Sequence, residues 1–447
     1  MSKKNVKPPV RNQQKQSNRT FILIPVLVFI IKLIVMANTE NGGWLGADGE
    51  NYLTGVDGIL KDGVFSQESK LLFWPAGYPL ILALFAKISF VNLLWIVSIF
   101  QSALYAFASY YFVERIRNTK LEPLAFTTAL ILGFNPTLSL SSLAVGYESP
   151  IASALLLVAA LIFQKKYSIK IWVAIGFLLG FAAFMQPRYL LVGFILILIG
   201  LFISDSRKIA AVSALVAMVV MLISPISLIY RNHVANNISS ISTNLGSTMR
   251  IGAGDGVTGG YDDQNKSVPC EPKMAGEPVT DNDLVKCVLN WYVSNPGKTL
   301  KLAYNKSLFY WSPWSGPLAN GTMARNPWLK INPVIDIQKS QSGYNLIVGP
   351  FGKLISWLWL LGGLLLFFLG TFWLYKIGGY ARYLAWLSAT PVLLSWLISL
   401  GTIGDHRFRI PTMGLSLFLQ VAGVFALRHR VKSSEFAPTF EQTARSR

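Results

Sequence analysis

The sequence predicts an all-α polytopic membrane protein with about ten transmembrane helices and two extracytoplasmic loop regions. Hydrophobic residues make up 52% of its 447 residues, and charged residues only 14%. A soluble chain of this length could not bury that much apolar surface. Apolar runs long enough to cross about 30 Å of hydrocarbon recur along the chain, and basic residues gather in alternate connections between them.

Ten apolar segments are long enough to form membrane helices. They lie at about residues 21–37, 92–112, 121–140, 149–164, 171–186, 188–203, 209–229, 351–375, 383–400 and 411–427. The first is expected to be a retained anchor, because it lacks the short apolar core and small-residue site of a cleaved signal peptide. Lys32 lies within it, and we expect its ammonium group to reach the membrane surface.

Basic residues are concentrated in the connections that this arrangement of segments assigns to the cytoplasmic side. Residues 1–20 contain no acid, and their basic residues are Lys3, Lys4, Lys7, Arg11, Lys15 and Arg19. The other clusters are Arg115, Arg117 and Lys120; Lys165, Lys166 and Lys170; Arg207 and Lys208; and Lys376 and Arg382. The positive-inside rule then places both termini in the cytoplasm. The net charge of +19 is therefore expected to orient the chain in a cytoplasmic (inner) membrane rather than to bind nucleic acid.

This topology divides the chain into five parts. They are a basic cytoplasmic tail (1–20), an N-terminal transmembrane module (21–229) that includes an extracytoplasmic loop (38–91), a large extracytoplasmic loop (230–350), C-terminal transmembrane helices (351–427) and a cytoplasmic tail (428–447). In the first loop, the apolar residues 78–90 are too few to span the membrane, so they predict an interfacial or re-entrant helix.

The large loop contains both cysteines of the chain, Cys270 and Cys287. On an oxidising outer face they are expected to form a disulfide, which would stabilise the fold by about 3 kcal/mol. The alternative is two free or buried thiols. The histidines are scattered and no zinc-like spacing occurs, so neither a metal nor a cofactor is predicted.

Three acidic residues are candidates for chemistry at the outer membrane surface. Asp48 and Glu50 follow the first apolar segment, and one of them could serve as a general base or bind substrate hydroxyls. Glu148 precedes the fourth segment. The alternatives are a solvated acidic loop for the first two and a helix cap for Glu148, since a helix dipole stabilises an acid at its N-terminus.

Four arginines recur at the outer ends of apolar segments, where the topology does not require a positive charge: Arg188, Arg231, Arg407 and Arg409. The planar guanidinium group suits a pair of phosphate oxygens, so together they predict a site for an anionic lipid headgroup. The alternative for any one of them is anchoring to surface phospholipids.

Six short motifs occur in order along nearly the whole chain. They are Asp48-Gly49-Glu50-Asn51-Tyr52; Pro75-Ala76-Gly77-Tyr78-Pro79; Glu148; Arg231-Asn232 with Ser242-Thr243-Asn244-Leu245-Gly246; Asn295-Pro296-Gly297; and Arg407-Phe408-Arg409-Ile410-Pro411. In these motifs and in topology the chain resembles the GT-C superfamily of integral-membrane glycosyltransferases. It resembles most the branch of protein O-mannosyltransferases and aminoarabinose transferases.

The resemblance implies a catalytic N-terminal module that uses a sugar on a polyprenyl monophosphate as donor. Asp48 would deprotonate an acceptor hydroxyl, which attacks the anomeric carbon with inversion, and the arginines would bind the departing phosphate. Tyr52, Trp74, Tyr78 and Asn244 would shape the sugar and acceptor sites. In this superfamily a divalent metal is optional. The acceptor stays open between a glycan, a lipid and a protein, and membrane lipids are the other partners.

Two other functions compete with this interpretation. A transporter or flippase of lipid-linked saccharides would place ionisable residues in mid-membrane and often contains repeated halves, neither of which the sequence indicates. A polymerase or ligase of diphosphate-linked oligosaccharides also carries large external loops. The Pro-Ala-Gly-Tyr-Pro turn that follows the first acidic loop does not suggest a polymerase or ligase of this kind.

Overall fold

The computed structural model describes residues 10–39, 42–46, 48–163, 168–203, 207–261, 264–270, 279–311 and 350–428. The predicted C-terminal tail after residue 428, the basic residues Lys3, Lys4, Lys7, Lys165 and Lys166, and the end of the large loop at 312–349 lie outside these residues.

The described residues form seventeen α-helices and one pair of two-residue strands. The helices are α1 Val10–Ala37, α2 Gly49–Asp62, α3 Ser69–Phe73, α4 Gly77–Ile88, α5 Leu93–Arg117, α6 Glu122–Phe134, α7 Pro136–Leu140, α8 Glu148–Phe163, α9 Ile169–Met185, α10 Tyr189–Ile203, α11 Arg207–Asn236, α12 Leu245–Ile251, α13 Asp281–Ser294, α14 Pro296–Trp311, α15 Pro350–Ile377, α16 Gly379–Gly401 and α17 Ile410–Arg428. The strands are β1 Trp44–Leu45 and β2 Ala144–Val145.

Each of the ten predicted segments overlaps a helix of the described chain, and the predicted class of all-α polytopic membrane protein is confirmed. Among the residues that the structure describes, five helices are long and apolar enough to cross a membrane, and they lie in α5, α11, α15, α16 and α17. Helix α6 and the residues after it form a further apolar pair, bent by 55°. The remaining predicted segments correspond to shorter apolar helices, and α4 covers the predicted interfacial stretch.

Helix α8 lies at the centre of the bundle. All but one of its sixteen residues are buried, as expected for a helix that is apolar on every side. It packs against α5, α9 and α17, while α9 packs along α11 and α15 along α17. Because α8 begins at Glu148, its position places that carboxylate at one end of the helical core.

Strands β1 and β2 bring two distant loops together. They pair in parallel, with Trp44 opposite Ala144 and Leu45 opposite Val145. The Gly46 amide continues the pairing by donating to the Val145 carbonyl at 3.1 Å. The chain leaves β1 towards Asp48 and leaves β2 towards Glu148, so the short sheet sets the two acidic segments side by side.

Lys32 supports this arrangement from inside the bundle. Its side chain is 1% exposed, and its Nζ atom donates to the Ser142 hydroxyl at 2.9 Å. The Nζ atom also lies 4.5 Å from the centre of the Tyr105 ring. The expectation that Lys32 reaches the membrane surface is wrong. The Ser142 hydroxyl and the Tyr105 ring hold its ammonium group inside the bundle.

Candidate active site

A cavity of about 760 Å³ opens beside the two acidic segments. Its size is in the range of small-molecule sites in proteins. The charged and imidazole side chains in its wall are Asp48, Arg188, Asp405, His406 and Arg407. The aromatic ones include Tyr52, Phe73, Trp74, Tyr147, Tyr261 and Phe309, and Asn244 adds an amide group. The wall thus combines ionic groups with flat apolar faces.

Arg407 links the two candidate carboxylates. Its Nη1 atom lies 2.8 Å from Oδ2 of Asp48, and its Nε atom lies 3.5 Å from Oε1 of Glu148. All three side chains are largely buried, with exposed fractions of 15% for Arg407, 20% for Asp48 and 7% for Glu148. The cluster brings together residues that are about a hundred and more than two hundred and fifty positions apart in sequence.

Local structure explains how each member is held. Gly146 leaves room for Glu148, since a Cβ atom there would overlap the Glu148 carboxylate. Arg407 lies in a short 3₁₀ turn, His406–Arg409, which Asp405 caps by accepting from the Arg407 amide at 2.8 Å. The Gly404 amide donates to the Gly259 carbonyl at 2.8 Å, which ties this turn to the large loop.

Arg188 is a second cation in the cavity wall. Its guanidinium carbon lies 4.0 Å from the centre of the Phe408 ring, which is within the range of a cation–π contact. Its Nη1 atom is buried and has no hydrogen-bond partner among the described residues. A half-buried guanidinium with an unpartnered buried donor, in the same cavity wall as Arg407, suits an anionic ligand.

Two of the four predicted arginines lie elsewhere. Arg231 is 3% exposed and donates to the carbonyls of Val64, Ser66 and Leu71 and to the Asn232 side chain. Arg409 donates to the Trp311 carbonyl at 3.0 Å. Neither residue lines the cavity. Their hydrogen bonds tie backbone carbonyls of other segments to these arginines, so neither arginine is placed in the phosphate site.

The predicted sugar-shaping residues divide in the same way. Tyr52, Trp74 and Asn244 line the cavity. Tyr78 lies behind the wall, where its ring packs edge-on against Tyr52 at 5.1 Å and its hydroxyl accepts from the Gly146 amide at 2.9 Å. Burial raises the pKa of Tyr52 well above its ordinary value, and the nearby Asp48 carboxylate adds to this, so the phenol stays neutral.

Glu50 is exposed on α2 and does not line the cavity, although it is only two residues from Asp48. The described residues contain no group of three or more His, Cys, Asp or Glu side chains that could hold a metal. Cys270 and Cys287 are joined as a disulfide with an S–S distance of 2.05 Å, which attaches α13 to the segment that precedes it.

Sequence reasoning missed several wall residues, and the buried Tyr147 is one of them. It directly precedes Glu148, so its position in the same short segment was the available signal. Asp405 and His406 likewise precede Arg407. Each lies next to a candidate residue, but only the fold turns its side chain into the cavity.

No family model and no curated protein matches the sequence. Among solved structures, the chain is similar to the archaeal oligosaccharyltransferase AglB from Archaeoglobus fulgidus in complex with an inhibitory peptide and a dolichol-phosphate. The TM-score is 0.48 and the identity 10%, over 93% of this chain and 50% of that chain. The oligosaccharyltransferase of the same organism in its apo form gives a TM-score of 0.46 and 11% identity, over 91% and 50%. The chain spans about half the length of these proteins, and similarity at this level assigns neither a family nor a reaction.

Proposed function

We propose that this chain is an inverting glycosyltransferase of the GT-C type. It would move a sugar from a polyprenyl monophosphate to an acceptor hydroxyl on the extracytoplasmic side of the membrane. One observation carries the proposal: a single cavity is lined by a carboxylate, Asp48, and by two guanidinium groups, those of Arg188 and Arg407. These are the two kinds of group that the reaction needs, a base and a clamp for the leaving phosphate.

The chemistry follows from these groups. Asp48 accepts the proton of the acceptor hydroxyl while the hydroxyl oxygen forms a bond to the anomeric carbon of the sugar. The bond from that carbon to the phosphate oxygen breaks, and the phosphate leaves with the electron pair. Arg188 and Arg407 stabilise the charge that develops on the phosphate, because donors that are already in place need no reorganisation as the reaction proceeds.

Arg407 has a second role in this scheme. In the free protein its charge is shared between Asp48 and Glu148. A phosphate that enters the cavity competes for the guanidinium, and this would loosen its ion pair with Asp48 as the donor binds. Glu148, buried behind the wall, keeps Arg407 in place during the exchange.

The aromatic wall suits a sugar. Trp74, Tyr261 and Phe309 present apolar faces to the cavity, and such faces can pack against the C–H groups of a pyranose ring. A sugar already linked to a lipid phosphate needs no nucleotide, and the sequence contains no nucleotide-binding motif. The acceptor is a glycan, a lipid or a protein.

The experiment is mass spectrometry of polyprenyl-phosphate lipids from host cells. Wild type is compared with a deletion strain, with Asp48→Asn and with Asp57→Asn, which alters an exposed acid on α2, the helix that follows Asp48. Accumulation of one polyprenyl-monophosphate sugar in the deletion and in Asp48→Asn, but not in Asp57→Asn, supports the proposal. An unchanged lipid profile in the deletion contradicts it, and accumulation in the deletion alone favours transport of lipid-linked saccharides.

A further inference from the structure

The hydroxyl of Tyr147 is a buried polar group that the proposed chemistry does not use. Tyr147 lies between β2 and α8, is 4% exposed and lines the cavity. Its Oη atom has no hydrogen-bond partner in the part of the chain that the structure describes. Burying a hydroxyl without a partner costs free energy, so such a group in a cavity wall indicates a ligand that completes its hydrogen bonding.

Two other buried phenols, on α4 and α5, are satisfied by the protein itself. Tyr78 accepts from the Gly146 amide at 2.9 Å, and Tyr105 donates to the Leu132 carbonyl at 2.6 Å. Neither residue lines the cavity. The contrast indicates that burial of tyrosine in this fold does not by itself leave the hydroxyl unpaired.

Charged groups surround Tyr147. It interacts electrostatically with Arg188 and Arg407, and less with Glu148 and Asp48. An anion held by the two guanidinium groups would therefore lie next to the phenol. Burial raises the pKa of Tyr147 above its ordinary value, although the two arginines oppose this, so the hydroxyl keeps its proton and can donate at neutral pH.

We propose that the Tyr147 hydroxyl donates a third hydrogen bond to the phosphate of the lipid-linked sugar. The phosphate oxygens would then be bound by Arg188, Arg407 and Tyr147 together. This inference rests on the proposed function, because it assumes that a phosphate occupies the cavity. A neutral O–H adds a directed hydrogen bond to the phosphate without adding charge to the site, and such a bond to an ionised group is stronger than one between neutral groups.

The test is binding to the purified full chain in detergent, with farnesyl monophosphate as probe and farnesol as its phosphate-free counterpart. Tyr147→Phe removes only the hydroxyl. We expect it to weaken farnesyl phosphate binding roughly tenfold, as for loss of a hydrogen bond to a charged group, and to leave farnesol binding unchanged. Tyr304→Phe, at an exposed position on α14, serves as the matched control.

The outcomes separate this inference from the proposed function. If wild type prefers farnesyl phosphate and Tyr147→Phe retains the full preference, the role of Tyr147 is wrong and the phosphate site stands. Equal weakening for both probes also overturns the inference, because the change is then general. If wild type binds both probes alike, the phosphate site itself is wrong. Tyr147→His, which keeps an N–H donor, should restore part of the preference and provides a second variant if Tyr147→Phe does not fold.

Discussion

Asp48 and Glu50 are two residues apart but have different surroundings. Asp48 lines the cavity with Arg407 at 2.8 Å, whereas Glu50 is exposed on α2. We expect Asp48→Asn to lower the rate of sugar transfer by at least about 100-fold, the usual effect of losing a general base. Glu50→Gln should lower the transfer rate much less. Glu148→Gln should lower it by an intermediate amount, because Glu148 helps to position Arg407. Transfer assays on membranes with matched protein levels measure this, and normal turnover of Asp48→Asn would remove it as the base.

Arg188 and Arg231 provide a second contrast between single side chains. Arg231→Ala leaves the backbone carbonyls of Val64, Ser66 and Leu71 without this donor, so it should lower the free energy of unfolding by about 3 kcal/mol. Arg188→Ala removes no hydrogen bond described in the structure and should instead weaken farnesyl phosphate binding roughly tenfold. Thermal unfolding and probe binding on both variants test this. If Arg231→Ala lost farnesyl phosphate binding but kept its stability, Arg231 would be a phosphate ligand and not a structural residue.

The limits of sequence reasoning are clearest for these side chains. Arg188, Arg231, Arg407 and Arg409 all follow or precede apolar segments, and nothing in the local sequence separates them. What separates them is the partner, which is a cavity or carboxylate for two and backbone carbonyls for the others. The partners come from distant segments, 167 residues away for Arg231 with Val64 and more than 250 for Arg407 with its two carboxylates, so only the packed fold selects among chemically identical candidates.

At the scale of elements, α14 braces the turn that carries Arg407. The Lys306 side chain is fully buried and donates to the Tyr292 hydroxyl at 2.9 Å and to the Leu400 carbonyl, at the end of α16, at 3.0 Å. A Cβ atom at Gly404 would overlap the Lys306 backbone, so the helix and the turn are in close contact. Movement of α14 would therefore disturb Arg407.

Burial lowers the pKa of Lys306 from 10.5 to about 7. Between about pH 7 and 10.5 the unfolded chain then binds more protons than the folded one, so stability should rise with pH across this window. We expect Lys306→Met to reduce the rise in melting temperature between pH 6 and 9, whereas Lys301→Met, exposed on the same helix, should leave it unchanged. If the melting temperatures of wild type and Lys306→Met rose equally with pH, the effect of burial on the Lys306 pKa would be contradicted.

At the scale of the whole molecule, hydropathy was enough to predict the helical membrane class. A lipid environment requires segments that satisfy their own backbone hydrogen bonds, and every predicted segment overlaps an apolar helix of the described chain, some long enough to span and others shorter. The assembly of the site was not predictable in the same way. Asp48, Glu148 and Arg407 meet through the pairing of β1 with β2 and the packing of α17 on α8, and both depend on contacts between distant segments.

The orientation of the bundle is the last prediction. The basic residues at the end of α5 are expected in the cytoplasm, and the disulfide-containing loop outside. Both native cysteines are bonded to each other, so an introduced cysteine is the only one open to a maleimide. Ser294→Cys, exposed at the end of α13, should react with a membrane-impermeant maleimide in sealed cells. Asn118→Cys, exposed after α5, should react only after permeabilisation. The reverse pattern would place the cavity on the cytoplasmic side, where nucleotide-linked sugars are available, and would remove the reason for a lipid-linked donor.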